Sequence, residues 1–518
     1  MIRTIVRKNE YYDSVFLMKL AGEVQEIKGV QQVVIIMGTD LNKTILQDVG
    51  LLTPEAQNAS PNDLIVALEA EEDEKVIDRA LQALEDLKHQ KRVSASHEIG
   101  YPTLDIAIDA TPEANLAFIA VPGENAGAEA RKALHKGLHV FIFSDNVSLQ
   151  EEIELKRLAQ EKDLLVMGPG CGASVINRVS LGLMSTIRSG PIGMVGASGS
   201  GIQEAAVLID HYGLGVSQAI GTGGRDLSDE VGGITMLQGL KALEEDEATS
   251  VIVLISKPPA KKTMESVLKA VSSCSKPVVV NFLGGDQETI EKAGGISAFT
   301  IEETALKAVA LAKKETWTDD YLEMVEKELA PLAEAEKRGF TSGQKYLRGL
   351  FFGGTHCEEA VLILKDHIGP IYGNVPVPPC IPLKNVQVSR QHSVIDLGAE
   401  EFTRGRPHPV IDLRYAKERL WKEGCDPEVR VILIDLILGF GAHPDPAGAL
   451  KETFEAIKEK ARREDRHLCL VISVCGSDRD PQNRSLQVEK FKKMGLLVMP
   501  SNARASILAK MLVSGQGD

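Results

Sequence analysis

Residues 193–204 read GMVGASGSGIQE, four glycines and two serines set between a short apolar run and a helix start. Glycine lets the backbone take positive φ and lets a ligand approach the main chain closely. A helix that begins directly afterwards turns unpaired N–H groups and a partial positive charge toward the loop. Together these features describe an anion site, with Ser198, Gly199, Ser200 and Gly201 as its phosphate-binding residues. The order G-x-x-G-x-G is neither a Walker loop, since no Gly-Lys-Ser/Thr follows, nor the dinucleotide pattern G-x-G-x-x-G. The competing reading is a tight turn that serves packing alone.

Short apolar or β-branched runs such as QQVVIIMGT (31–39), NLAFIAV (115–121) and HVFIFS (139–144) alternate with helix-length segments along the chain. That alternation predicts an α/β protein of three doubly wound parallel-sheet domains. The first domain covers 1–187 and is closed by the turn-rich VMGPGCGASVINRVSLGL. A second domain covers 188–313, and a charged, helical, solvated linker covers 314–345. The third domain covers 346–518. Its opening, YLRGLFFGGTHCEEAVLIL (346–364), parallels PIGMVGASGSGIQEAAVLI (191–209), which points to two similar domains descended from a duplication. The turn GGTHCEE (353–359) is one further candidate anion loop, and Gly439, Phe440 and Gly441, before a helix near Pro446, are another. Two opposed helix starts could grip one phosphate from both sides, and 439–441 is the expected partner of 198–201.

Several polar residues carry a functional and a plain reading side by side. Glu204 is a catalytic candidate or a surface carboxylate favoured by the helix dipole. Arg225, in the loop GTGGRDLSDEVGG (221–233), can clamp a carboxylate or phosphate from a strand's C-terminal end, or belong to an ordinary connection. Arg404, Arg406 and His408, in FTRGRPHPVID (402–412), suit a small anionic substrate or form a solvated basic turn. Arg479, in CGSDRDPQNRS (475–485), lines a cleft or lies on a surface loop. His443 and Cys171 each sit beside a glycine turn, without a visible catalytic partner.

Composition narrows the remaining classes. The 518 residues carry a net charge of −15, which disfavours a nucleic-acid partner. The seven cysteines are odd in number and none is spaced as CxxC, so reduced thiols are expected and neither a disulfide framework nor a metal site is. The N-terminus lacks an apolar leader, and no apolar run approaches the ~18 residues of a membrane span. A cytoplasmic protein without membrane partners is the expectation.

VMGPGCG (166–172), GASGSGIQEAA (196–206) and GVSQAIGTGGRDL (215–227) resemble the α subunit of succinyl-CoA synthetase, and ILIDLILGFGA (432–442) resembles the C-terminal domain of its β subunit. More closely, the chain resembles the FdrA family of acyl-CoA-synthetase-like proteins, through MGTDLNK (37–43), AIGTGGRDLSDEVGGI (219–234), GRPHPVIDL (405–413), GFGAHPDPA (439–447) and GSDRDPQNRS (476–485). The resemblance implies a CoA-type domain followed by two flavodoxin-like ligase domains, with Glu204 matching the synthetase's site glutamate. Three departures stand out. The region matching the synthetase's active-site histidine loop, 279–299, contains no histidine. No ATP-grasp domain fits within the three units, and the N-terminal stretch lacks the glycine-rich loop for CoA phosphate. CoA is the one cofactor the resemblance leaves in view.

FdrA relatives imply partner subunits in oxamate carbamoyltransferase, in allantoin and purine breakdown. The expected activity is therefore a carbamoyltransferase subunit that holds carbamoyl phosphate at the paired loops, with oxamate or a related carboxylate oriented by Arg225, Arg404 or Arg406. The alternatives are an acyl-CoA synthetase component served by a separate ATP-grasp subunit, and a non-catalytic scaffold of the same fold.

Overall fold

The computed structural model describes residues 2–514 apart from 11, 13, 26, 28, 71–78, 80, 81, 83–99, 102, 319 and 404–406. The chain divides into two compact units, one of 1–103 with 400–407 and one of 104–399 with 408–518. The expected single domain over 1–187 is thus interrupted after Thr103.

In the first unit, β1 (Ile2–Arg7), β2 (Val30–Met37) and β3 (Leu64–Ala70) form an antiparallel sheet in the order β1-β3-β2. Central β3 buries both faces, and its alternation divides two cores. Leu64, Val66 and Leu68 join one cluster with Leu17 and Leu20, while Ile65 and Ala67 join another with Leu46 and Leu51. A strand buried on both faces reads as a continuous apolar run, so its sequence resembles a parallel-sheet strand. That is why the antiparallel unit was not separable from the α/β pattern.

The second unit is α/β with parallel sheets, as expected. Its smallest sheet is β4 (Leu116–Ile119), β5 (His139–Ile142) and β6 (Val166–Met167), all parallel. The next is β13-β12-β11-β9-β10-β7-β8, with β7 (Ala173–Ile176), β8 (Val179–Gly182), β9 (Ile192–Gly196), β10 (Val216–Gly221), β11 (Val251–Ser256), β12 (Val278–Phe282) and β13 (Ile296–Ser297). Residues 173–182, assigned from sequence to the first domain, are therefore a hairpin on this sheet, with β7 antiparallel to β10. Asn177 and Arg178 make its two-residue turn with φ of 47° and 71°. The pair lacks the glycine that normally marks such a turn.

The last sheet is β16-β15-β17-β14-β18-β19-β20, with β14 (Tyr346–Phe351), β15 (Ile371–Gly373), β16 (Ile381–Pro382), β17 (His392–Asp396), β18 (Val429–Ile437), β19 (Cys469–Cys475) and β20 (Leu497–Met499). The duplication seen in the sequence extends to topology. Each domain opens on a central strand, β9 or β14, that feeds a glycine-led helix, Gly199–His211 or Gly354–Leu364. Three further strands then lie outward on one side, β11-β12-β13 or β18-β19-β20, and a closing helix follows, Ile301–Lys313 or Asn502–Val513.

The stretch expected to be a solvated linker is packed instead. Its helix, Tyr321–Lys337, buries Tyr321, Val325, Leu329 and Ala333 at four-residue spacing in the core of the last domain. Burial of each large apolar side chain stabilises by roughly 1.5–3 kcal/mol, enough to seat a helix whose other faces are charged. Among the described residues, no helix is long and apolar enough to cross a membrane.

Candidate functional site

The two glycine-led helices meet at their N-termini. Ser198 caps the first, accepting the Gly201 N–H at 3.0 Å, and its Oγ lies 2.6 Å from Thr355 Oγ1 on the second. A Cβ on Gly353 would come within 2.9 Å of Ser200 Cβ, and one on Gly201 within 3.2 Å of Thr355 Cγ2. Bulk at these positions would separate the two helix starts. Gly172, from the 166–172 loop, lies beside Gly199, and a Cβ on Gly172 itself would meet nothing within 4 Å. The partner of 198–201 is therefore the 353–355 turn, and not 439–441 as the sequence suggested.

Gly439 and Gly441 are held elsewhere. Gly439, with φ of 132°, donates its N–H to Gln482 and accepts the Gln482 amide at 2.9 Å. A Cβ there would sit 2.6 Å from Leu183 O. Gln203, from the flank of the first helix, donates to Leu438 O at 2.7 Å. Phe440 is exposed. The helix that follows starts at Pro446 and has its own cap in Asp445, so the glycines do not lie at its first turn. The helix start that meets 198–201 belongs to the first strand of the repeat, which sequence spacing alone did not single out.

Beneath the two N-termini lies a buried charged cluster. Glu204, read from sequence as a surface or site carboxylate, is only 2% exposed. Its Oε2 is 2.9 Å from His356 Nε2, and its Oε1 accepts the Asn502 N–H at 2.7 Å. His356 Nδ1 lies 2.8 Å from Asp435 Oδ2, and Asp435 accepts the N–H groups of Phe352 and Gly353 at the mouth of the second helix. Burial opposes charge on His356, but Glu204 and Asp435 outweigh it and raise the imidazole well above its ordinary value. Burial alone would raise the Glu204 carboxyl; His356, the Asn502 N–H and Arg484 hold it below the usual range. The result is a buried imidazolium between two carboxylates, an arrangement whose rupture leaves an unpaired charge.

Glu359 completes the cluster. It accepts the Ile301 N–H at 2.7 Å and the Asn502 side-chain amide at 2.8 Å. Burial and the Glu204 charge push its carboxyl up to about 7. His356, Asp435, Glu359 and Asn502 were not identified from sequence. The repeat held the one available signal: aligning 198–204 with 353–359 puts Glu359 opposite Glu204.

The other sequence candidates are placed as follows. Arg225 donates to Glu152 and to Val147 O, both at 2.8 Å, and so binds the 147–152 segment. Beside it, fully buried Lys156 pairs with Asp226 at 2.7 Å and Glu152 at 2.9 Å and donates to Thr222 O. This network fastens the helix Leu149–Glu161 to the second domain. Arg479 pairs with Asp210 at 2.9 Å, near the far end of the 199–211 helix. A 13-residue helix puts about 18 Å between its two ends. His408 is half-buried near Asp435; desolvation lowers it to about 4 despite that carboxylate. Its Nδ1 accepts the Val410 N–H, which puts the single proton on Nε2. Cys171 is an inert thiol, raised by burial to about 11. Arg404 and Arg406 lie outside the described residues.

The CoA-binding domain family matches residues 188–284, so that likeness falls on the domain of Ser198 and not on 1–187. The CoA-ligase family matches 350–512, and the AllF heavy metal-associated domain family matches 1–101. Residues 1–101 contain no cysteine, so no thiolate there can hold a soft metal ion. The uncharacterized protein YahF of Escherichia coli K12 is 40% identical over 512 residues, covering 99% of this chain and 98% of that protein. The α subunit of the ADP-forming succinate–CoA ligase of Staphylococcus epidermidis is 28% identical over 192 residues, covering 36% of this chain and 62% of that subunit. Among solved structures, the apo dinucleotide-forming acetyl-coenzyme A synthetase 1 of Ca. Korarchaeum cryptofilum aligns with 80% of this chain and 84% of that one, at 16% identity and a TM-score of 0.34. The near full-length match to YahF, with the CoA-binding and CoA-ligase domains in order, shows that the chain belongs to the succinyl-CoA synthetase-like family of FdrA and AllF type.

Proposed function

We propose that this chain is a CoA-ligase-type component that forms or consumes an acyl phosphate at the paired N-termini of the 199–211 and 354–364 helices. The observation that carries the reading is the meeting of those two helix starts, tied through Ser198 and Thr355. Both direct partial positive charge and first-turn N–H groups to one place, which suits a phosphoryl group shared between them. The CoA-binding and CoA-ligase matches support a thioester as the other acyl carrier. In the transfer, a phosphate oxygen attacks the thioester carbonyl, the C–S bond breaks, and CoA leaves as the thiolate. The helix-start N–H groups stabilise the phosphate charge, and positioning supplies much of the acceleration. Nucleotide chemistry is assigned to a separate ATP-grasp subunit, and a small carboxylate is the acyl source.

The second reading keeps the same site and takes carbamoyl phosphate, transferring carbamoyl to or from oxamate with partner subunits. One observation favours it: both nitrogens of His356 face carboxylates, and 279–299 contains no histidine. His356, held on both sides by carboxylates, is not available as a phosphoryl carrier, which suits a ready-made acyl phosphate. The test is to assay the chain with the products of neighbouring genes in two mixtures, succinate with ATP and CoA against oxamate with carbamoyl phosphate. Turnover only in the first supports the ligase reading, turnover only in the second the carbamoyl reading, and turnover in neither contradicts both.

A further inference from the structure

The buried cluster has the donor set of a metal centre. Glu204, His356 and Cys475 each offer one ligand atom, and these three atoms lie within 4.8 Å of one another. They come from three segments: the first glycine-led helix, the second, and the end of β19. All three residues are buried.

The outer atoms of two of these ligands are already committed. His356 Nδ1 is held by Asp435, which is itself fixed by two backbone N–H groups. Glu204 Oε1 is held by the Asn502 N–H. What remains are His356 Nε2 and Glu204 Oε2, which pair with each other at 2.9 Å. A carboxylate behind one imidazole nitrogen fixes the tautomer and raises the basicity of the other, which is the usual support of a histidine ligand. One nitrogen, one thiolate sulfur and one carboxylate oxygen suit zinc or a similar borderline-soft divalent ion.

We propose that Glu204, His356 and Cys475 bind one zinc-like divalent cation that ties the two ligase domains together beneath the helix N-termini. The ion replaces two protons, one from His356 Nε2 and one from the Cys475 thiol, and both go to solvent. Glu204 and the Cys475 thiolate then neutralise the ion, and Arg484, whose charge acts on both, offsets Asp435. Three side chains leave one position of a tetrahedral site to an exogenous ligand.

The experiment uses the full chain, stripped with a chelator and titrated with Co2+ and then Zn2+. The expected result is about one cation per chain, with a near-ultraviolet thiolate-to-cobalt absorption that Zn2+ displaces. Cys475→Ser should lose that absorption and weaken Co2+ binding at least tenfold. Absence of the absorption in the wild-type chain, or its persistence in Cys475→Ser, overturns the proposal. Should Cys475→Ser fail to fold, the wild-type cobalt spectrum and its displacement by Zn2+ still decide. A cation bound without thiolate absorption also counts against it.

Discussion

Glu204 and Glu359 occupy equivalent positions on the two glycine-led helices, and each caps the closing helix of the other domain. Glu204 accepts the first N–H of the Asn502–Val513 helix, and Glu359 accepts the first N–H of the Ile301–Lys313 helix, both at 2.7 Å. The reciprocity makes the domain junction pseudo-symmetric. The symmetry breaks one turn earlier, where His356 stands opposite Gly201. Only Glu204 therefore faces an imidazolium.

That difference should separate the two glutamates in a stability measurement. Glu204→Gln leaves His356 with one carboxylate in a buried site, and removal of one member of such a pair typically costs 3–5 kcal/mol, so a loss of about 3 kcal/mol is expected. Glu359→Gln keeps an acceptor for Ile301 and relieves repulsion with Glu204, so a change below about 1 kcal/mol is expected. Urea unfolding of both variants at neutral pH checks this; equal losses would mean that His356 does not carry the charge assigned to it.

Gly439 should be a packing residue. Its φ of 132° and the nearby Leu183 carbonyl leave no room for a Cβ, so Gly439→Ala should cost about 1–3 kcal/mol. Phosphate affinity should stay within twofold of wild type at a temperature where the variant is folded. A large loss of phosphate binding would restore 439–441 to the anion site.

Arg479 should act through Asp210 and not through substrate. Burial raises the Asp210 carboxyl, but the Arg188 N–H and the Arg188 and Arg479 guanidinium groups outweigh it and hold it below its ordinary value. A folded value below the unfolded one stabilises above the unfolded value, about 3.9, and the contribution disappears as pH falls through the folded one. Arg479→Ala should therefore be less stable than wild type at pH 7, with the gap closing as the solution is acidified below the usual carboxylate range. Urea midpoints across that range test it. A gap independent of pH would place the role of Arg479 elsewhere.

Much of this arrangement was legible in the sequence. Strand, glycine turn and helix could be read at 193–209 and again at 346–364, and their likeness foretold two related domains. Which loops meet was not legible, because that depends on how the two central strands face each other and not on spacing along the chain. The 439–441 stretch looked the better partner because it combines glycines with a helix soon after. The structure shows four residues between the last glycine and that helix's own cap-led start at Pro446. Asp435 appears in the sequence as a lone polar residue within an apolar run, His356 sits in the distant turn GGTHCEE, and only tertiary packing pairs them. Arg225 and Lys156 illustrate the converse. The arginine looked free for substrate, but Lys156 and Glu152 on the 149–161 helix, with Asp226 of its own loop, had drawn that loop into a structural network.

The most direct measurement is calorimetric titration of phosphate into the wild-type chain and into the Ser198→Ala/Thr355→Val double variant. Ser198 and Thr355 join the two helix starts, so the variant should bind phosphate about tenfold more weakly, matching the loss of one or two hydrogen-bonding groups. Unfolding midpoints should show it folded, with a cap loss of about 1 kcal/mol. A folded double variant that binds phosphate as tightly as wild type would contradict the assignment of the paired helix N-termini as the phosphoryl site.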